Sequence, residues 1–181
     1  EAHDVPVSKK LIVDATRMYG HYYPSEGAVG TGSISPQVRL EFTNNQASHM
    51  GMPLPKGIVR IYQRDASGSV QMLGEDNIDH TPKDEKVSLV VGRSFDVVAE
   101  RKRTDFRRIN DRTVQESYEI EVRNRKDTAE QVYVIERSWG DWKLIKNSQD
   151  FVKLDANTFQ FLVKLEPNET KKVTYTIETR W

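Results

Sequence analysis

The sequence predicts an all-β fold: an antiparallel, two-sheet β-sandwich of immunoglobulin-like type with a long glycine-rich loop. Apolar residues occupy every second position within 118–122 and within 173–177. Because successive side chains of a strand point to opposite faces, this alternation indicates sheets with one apolar face, and two such faces must pack on each other. No apolar stripe with helical spacing extends over ten residues, so helices do not compete with this prediction.

Turn-forming residues divide the chain into strands. The predicted strands are 8–13, 37–43, 58–63, 70–73, 87–91, 95–109, 113–123, 131–138, 158–165 and 171–180. Short turns predict hairpins through 65–68 and 110–111, a meander that continues through 125–127, another hairpin closed by 139–142, and a final pair joined by 166–169. Strands of this length at regular spacing favour the sandwich.

The long connection 14–36 contains four glycines and two prolines. It also carries three clustered tyrosines, Tyr19, Tyr22 and Tyr23. A loop of more than about 15 residues is uncommon unless it is functional or disordered. These tyrosines are therefore candidate ligand or partner contacts, and packing in the core is the alternative.

The segment that follows Phe95 is apolar at first and becomes charged in both registers over 100–103. A strand that is polar on both faces has left the core, so we expect it to project beyond the sandwich or to bend at about Thr104. Arg101 and Arg103 are candidate partner contacts on this segment, because arginine is favoured at interfaces. The alternatives are a charged edge that prevents strand addition and a polyanion site.

Composition limits the classes of function. The 181 residues, 36% of them hydrophobic, suit one domain over 1–181 with a single core. Lys plus Arg and Asp plus Glu both number 27, so no overall field attracts nucleic acid, and we expect no nucleic-acid partner. Zero cysteines exclude disulfides, thiolate metal sites and a cysteine nucleophile. No apolar run reaches the roughly 20 residues of a membrane helix, so we expect no transmembrane segment.

Several longer runs are distinctive in combination. They are Gly51–Pro55, Gly74–Lys86, Phe95–Phe106, Gly140–Trp142 and the closing Arg180-Trp181. The runs resemble the C-terminal domain of a family of exported bacterial proteins of unknown function, related to the proteins labelled mucoidy-inhibitor-like. The resemblance implies a β-rich domain that forms the C-terminal part of a longer protein with a signal peptide, located in the cell envelope. It implies no catalytic residue, no cofactor and no defined ligand.

Motifs for metal binding and catalysis are weak or missing. Glu75, Asn77 and Asp79 would share one strand face and offer oxygen ligands to a cation such as calcium. The EF-hand pattern fails because His80 stands where that loop needs glycine and Lys86 where it needs a ligand, so we expect these acids to cap a turn. The sequence contains no G-x-S-x-G, H-E-x-x-H or Walker motif. We therefore expect no cofactor and no enzymatic activity.

Three functions remain open at this level. We favour a non-enzymatic interaction domain that contacts other domains of its parent protein, or envelope protein partners, through an exposed edge or the long loop. The alternative is a carbohydrate or glycopolymer binder that uses the loop tyrosines and Trp142, whose ring could stack on a sugar. For Trp142, packing over the core is the competing interpretation. An unrecognised hydrolase is the third hypothesis, and the oligomeric state is not predicted.

Overall fold

The computed structural model describes residues 3–15, 32–65 and 67–181, and it confirms an all-β antiparallel sandwich. A short 3₁₀ turn, Gln46–Ser48, lies between the strands Gln37–Thr43 and Gly57–Arg64. No helix in these residues has the length and apolar character needed to cross a membrane. The strands are β1 (Ser8–Asp14), β2 (Gly32–Ile34), β3 (Gln37–Thr43), β4 (Gly57–Arg64), β5 (Val70–Ile78), β6 (Lys86–Arg93), β7 (Val97–Asn110), β8 (Thr113–Asn124), β9 (Glu130–Arg137), β10 (Asp141–Asn147), β11 (Phe151–Lys153), β12 (Thr158–Leu165) and β13 (Thr170–Arg180).

Backbone contacts divide the chain into two compact units. The first unit contains the described residues up to Leu11 together with Gln37–Arg93. The second unit contains the described residues of Ile12–Pro36 together with Ser94–Trp181. Strand β1 contributes residues to both units. A single domain over 1–181 stays a prediction.

The second unit is built from two antiparallel layers. One sheet has the order β10-β13-β8-β7-β2, and the other layer contains β11-β12-β9. Side chains at alternate positions of both layers are buried between them, which is the pattern that the sequence predicts. The rings of Phe159 and Phe161 in β12 lie 5.6 and 5.5 Å from the ring of Tyr175 in β13. Fully or nearly fully buried residues of this core are Val97, Ala99, Ile120, Val122, Val132, Val134, Phe159, Phe161, Val163, Leu165, Val173 and Tyr175.

Three predicted strand pairings are wrong. Strands β8 and β9 lie in opposite layers, and so do β9 and β10, and β12 and β13. Instead, β13 pairs with both β8 and β10, and β9 pairs with β12. Alternation identifies the buried face of each strand but not its neighbour, and a short polar turn can join two strands of one sheet or lead from one layer to the other. The predicted hairpins β4–β5 and β7–β8 are confirmed.

Strand β7 changes from partly buried to mostly exposed near Thr104, the position at which the sequence predicts a bend. Its register against β8 shifts between Arg103 and Asp105, which places a β-bulge at Thr104. Most residues of β7 beyond that point are exposed. The predicted departure from the core is therefore confirmed beyond Thr104 and is wrong for 100–103, where Arg101 is buried.

The first unit joins the strand order β1-β3-β6 to the hairpin β4–β5. Two residues of β5 approach β6 closely. The Asp76 carboxylate accepts a hydrogen bond of 2.7 Å from the Val90 backbone N–H, and a Cβ at Gly74 would overlap the Val91 carbonyl oxygen. Absence of a side chain at Gly74 therefore allows the hairpin to approach β6.

Gly74→Ala is expected to separate β5 from β6 and to destabilise the first unit by about 1–3 kcal/mol, the usual cost of overpacking. Amide hydrogen exchange at Val90 would measure this, because its N–H is held by Asp76. Gly92→Ala is the matched control, since a Cβ there meets no atom within 4 Å. Equal Val90 exchange in the two variants would contradict the close approach.

Candidate functional site

Arg101 lies inside the second unit, contrary to the expectation of an exposed partner contact. Its Nε donates to Glu136 Oε1 at 2.8 Å and its Nη2 to Glu136 Oε2 at 3.2 Å. Both side chains are 0% exposed. Because Arg101 is in β7 and Glu136 is in β9, this bidentate ion pair connects the two layers of the sandwich.

Two tyrosines also contact the Arg101 guanidinium. Its Nη2 also donates to the Tyr175 hydroxyl at 3.2 Å, and its Cζ lies 3.7 Å from the centroid of the Tyr118 ring. Burial raises the pKa of the Tyr175 phenol well above its usual value, and the Glu136 charge raises it further. Burial also raises the pKa of Tyr118, as does the charge of Glu116. Both hydroxyls therefore keep their protons and act as donors or acceptors within the core.

Arg103 is largely committed to contacts within the fold as well. Its Nη1 lies 3.0 Å from Glu116 Oε1, and its side chain is 6% exposed. The same Glu116 oxygen accepts a 2.9 Å hydrogen bond from the Tyr118 hydroxyl. The Arg103 guanidinium also lies 5.1 Å from the centre of the Phe106 ring. Each arginine thus has a carboxylate partner within the second unit.

A signal for this core cluster was present in the sequence. Arg101 continues the inward register of Val97 and Ala99, and Glu136 continues that of Val132 and Val134. A buried charge needs an opposite charge, so a basic and an acidic residue at inward positions of two strands predict an ion pair. The charged stretch 100–103 conceals the signal, because Glu100 and Lys102 alternate with the two arginines and are exposed.

Trp142 packs over the core, which is the alternative to a role in sugar stacking. Its ring centroid lies 5.0 Å from that of Phe159, and its indole N–H donates to the Ala156 carbonyl at 2.8 Å. The Lys153 ammonium lies 4.8 Å from the ring centroid. These contacts give Trp142 a structural role in β10. Tyr19, Tyr22 and Tyr23 lie outside the described residues.

The acids considered for metal binding have other partners. Glu75 pairs with Arg60 at 3.2 Å across the β4–β5 hairpin, and Asp79 lies 3.4 Å from Lys56. Residues 75–78 belong to β5, so the expected turn begins only after Ile78. Within 3–15, 32–65 and 67–181, no three His, Asp or Glu side chains are grouped as metal ligands.

Two of the runs that carry the family resemblance meet in the first unit. Leu54 and Thr81 exchange two backbone hydrogen bonds of 2.9 Å. The buried Asn44 amide group donates to the carbonyls of Met52 and Pro82, at 2.7 and 2.9 Å. An open apolar groove of about 470 Å³ lies here, lined by Pro53, Leu54, Pro55, His80, Thr81 and Pro82. The runs therefore share a structural junction.

The β4–β5 hairpin exposes an apolar face that the sequence analysis did not single out. Ile58 and Tyr62 alternate with polar residues along β4, and Met72 and Val70 lie opposite Tyr62 and Arg64. The four apolar residues are 50–58% exposed. We call Ile58, Tyr62, Val70 and Met72 the apolar hairpin face. The Arg60–Glu75 ion pair lies between Ile58 and Tyr62 on this face. Exposed apolar side chains gathered on one face of a folded protein commonly mark an interaction site.

Strand β4 also presents an edge. Within the described part of the chain it pairs only with β5, and most of its eight residues are exposed. It contains no proline, lysine or acidic residue, and its charged side chains are Arg60 and Arg64. The signal in the sequence was the run Ile58-Val59-Arg60-Ile61-Tyr62, which is apolar on both faces of a strand assigned to a simple hairpin.

Comparisons with known proteins assign no family. No protein-family model matches the chain, and no curated protein and no solved structure is significantly similar to it.

Proposed function

We propose that this chain is a non-enzymatic interaction domain of a bacterial cell-envelope protein, and that it binds an extended segment of a protein partner along the edge of β4. The exposed apolar hairpin face, beside a strand edge that has no partner strand within the described residues, is the observation that carries the proposal. The envelope location rests on the family resemblance alone. The partner is another domain of the parent protein or a separate envelope protein.

Strand addition would use both features of the hairpin. Main-chain hydrogen bonds to β4 supply affinity, and side chains at alternate positions supply specificity. A partner strand beside β4 would extend the two-stranded sheet and cover part of the apolar hairpin face. A two-stranded hairpin is marginally stable alone, and a third strand strengthens it.

The charged residues of β4 favour a partner strand with acidic side chains over a second copy of β4. These residues are Arg60 and Arg64, and they lie on the same face as Ile58 and Tyr62. Glu75 balances Arg60, whose side chain is 57% exposed. Pairing of β4 with β4 of a second copy would bring four arginines together, and like charges across strands are unfavourable. A partner strand that carries apolar and acidic side chains fits this edge.

A photo-cross-linking residue at Met72, which is 50% exposed, tests the proposal in an envelope extract. We expect an adduct in which the cross-linked residue lies in an extended segment rich in apolar and acidic residues. The same cross-linker at Ile109, also 50% exposed but at the end of β7, is the positional control. It is expected to give no such adduct.

Ile58→Lys combined with Tyr62→Lys should abolish the adduct, because charging the central apolar contacts of an interface costs about 2 kcal/mol or more, roughly 30-fold in affinity. Thermal stability should hardly change, since both side chains are more than half exposed. Ile109→Lys is the matched control. An adduct that persists in the double variant, or one formed with a second copy of the chain, would overturn the proposal.

A further inference from the structure

A second surface feature lies in the first unit, outside the proposed protein-binding edge. It is an open cavity of about 410 Å³, in the size range of small-molecule sites. Its walls combine apolar side chains, hydroxyl side chains and three charged residues. The lining residues are Pro6, Val7, Ser8, Lys10, Glu41, Phe42, Thr43, Ser48 and Lys86.

The charged residues come from three neighbouring strands and converge on one atom. Glu41 of β3 places its Oε2 2.7 Å from the Lys10 ammonium of β1 and 2.6 Å from the Lys86 ammonium of β6. The Glu41 side chain is only 11% exposed, whereas that of Lys86 is 57% exposed. Lys10 takes part in a further contact as well. Lys86 is therefore the ammonium group that a ligand in the cavity would reach first.

The Lys86 ammonium shares the Glu41 carboxylate with Lys10, and the Lys86 side chain is 57% exposed, so it stays accessible to an anion in the cavity. Partial burial of Glu41 by itself would raise its pKa, but the nearby ammonium groups of Lys10 and Lys86 outweigh burial and lower it. Glu41 is therefore ionised near neutral pH and holds both lysines in place. The result is a fixed positive group at the wall of a cavity, which favours an anion.

The uncharged residues that line the cavity indicate which chemical group carries the anionic group of the ligand. Ser8, Thr43 and Ser48 bring hydroxyl groups, which can both donate and accept hydrogen bonds. Pro6, Val7 and Phe42 bring apolar surface to the same cavity. A sugar ring presents hydroxyl groups at its rim and C–H groups on its faces, and it matches this mixture.

We propose that the cavity binds an acidic sugar unit, with its carboxylate or phosphate group at Lys86 and Lys10 and its ring against the hydroxyl and apolar walls. This inference goes beyond the proposed function, because it concerns a different ligand and different residues. It also differs from a carbohydrate site built on the loop tyrosines and Trp142. An acidic glycopolymer is a natural source of such a unit.

Titrations followed by amide NMR shifts test the proposal. The probes are glucuronate and glucose 6-phosphate, which separate the carboxylate and phosphate sources, with neutral glucose and acetate as controls. Concentrations up to about 10 mM cover the millimolar affinity typical of small sites. We expect saturable shifts at Ser8, Thr43 and Ser48 with at least one acidic sugar and not with glucose. Equal shifts with acetate would overturn the sugar assignment, and no saturable shift with either acidic sugar would overturn the site.

Substitutions distinguish a binding site from a purely structural ion-pair cluster. Lys86→Gln should weaken binding of the acidic sugar at least about fivefold, in line with the loss of a charged hydrogen bond. Lys83→Gln, which removes an exposed lysine outside the cavity, should leave binding unchanged. Unchanged binding of the acidic sugar in Lys86→Gln, with the chain still folded, would contradict the proposal.

Discussion

Glu136→Ala will lower the free energy of unfolding of the second unit by about 3–5 kcal/mol, because it leaves the Arg101 guanidinium buried without its charge partner. Both side chains are 0% exposed, and their two hydrogen bonds join β7 to β9. The tyrosine hydroxyl at 3.2 Å can accept one hydrogen bond but carries no charge. Denaturant unfolding followed by tryptophan fluorescence reports on this unit, since all three tryptophans belong to it.

Two further variants show whether the lower free energy of unfolding of Glu136→Ala comes from an uncompensated buried charge. Asp105→Ala breaks the exposed ion pair between Asp105 and Arg107, whose side chains are 44% and 70% exposed. It should cost less than about 0.5 kcal/mol. Arg101→Met combined with Glu136→Leu replaces the buried pair with apolar groups of similar size and should recover most of the stability. A double variant no more stable than Glu136→Ala would contradict this explanation.

Phe159→Ala will cost the second unit about 3–5 kcal/mol, the usual range for removing a buried phenylalanine ring. Phe159 is 0% exposed. Its ring contacts those of Trp142, Phe151, Phe161 and Tyr175, with centroid distances of 5.0 to 6.0 Å. The variant therefore opens a cavity at the centre of the aromatic cluster and also removes the surface on which Trp142 packs.

Leu162→Ala is the matched control for this prediction. Leu162 lies in the same strand with 38% of its side chain exposed, so its truncation should cost about 1 kcal/mol or less. Near-ultraviolet circular dichroism would report loss of the ring packing separately from loss of the fold. Similar losses of stability in the two variants would mean that β12 does not present Phe159 to the core as described.

The fold was predictable because apolar and polar residues alternate almost without interruption along the strands. In β13, Val173, Tyr175 and Ile177 are buried, and their neighbours are at the surface or half-buried. The pairing of strands was less predictable. Nothing local distinguishes the turn that joins β7 to β8 within one sheet from the turn at Gly140 that leads from one layer to the other.

The candidate sites were harder to predict because their residues are distant in sequence. Arg101 and Glu136 are 35 positions apart, and a basic residue within a charged stretch indicates a surface position unless its partner is known. The apolar hairpin face could not be predicted from the sequence for a different reason. Ile58 and Tyr62 have the composition of a buried strand, and only the tertiary structure shows that their face is uncovered.

Amide hydrogen exchange across Gly57–Arg64 is the most direct test of binding along the β4 edge. It would compare the chain alone with the chain bound to the partner that is cross-linked through Met72. Added main-chain hydrogen bonds should slow exchange at alternate residues of β4, whereas the exposed end of β7 around Ile109 should exchange as before. Unchanged exchange throughout β4, with new protection elsewhere on the chain, would contradict a role of this edge in recognition.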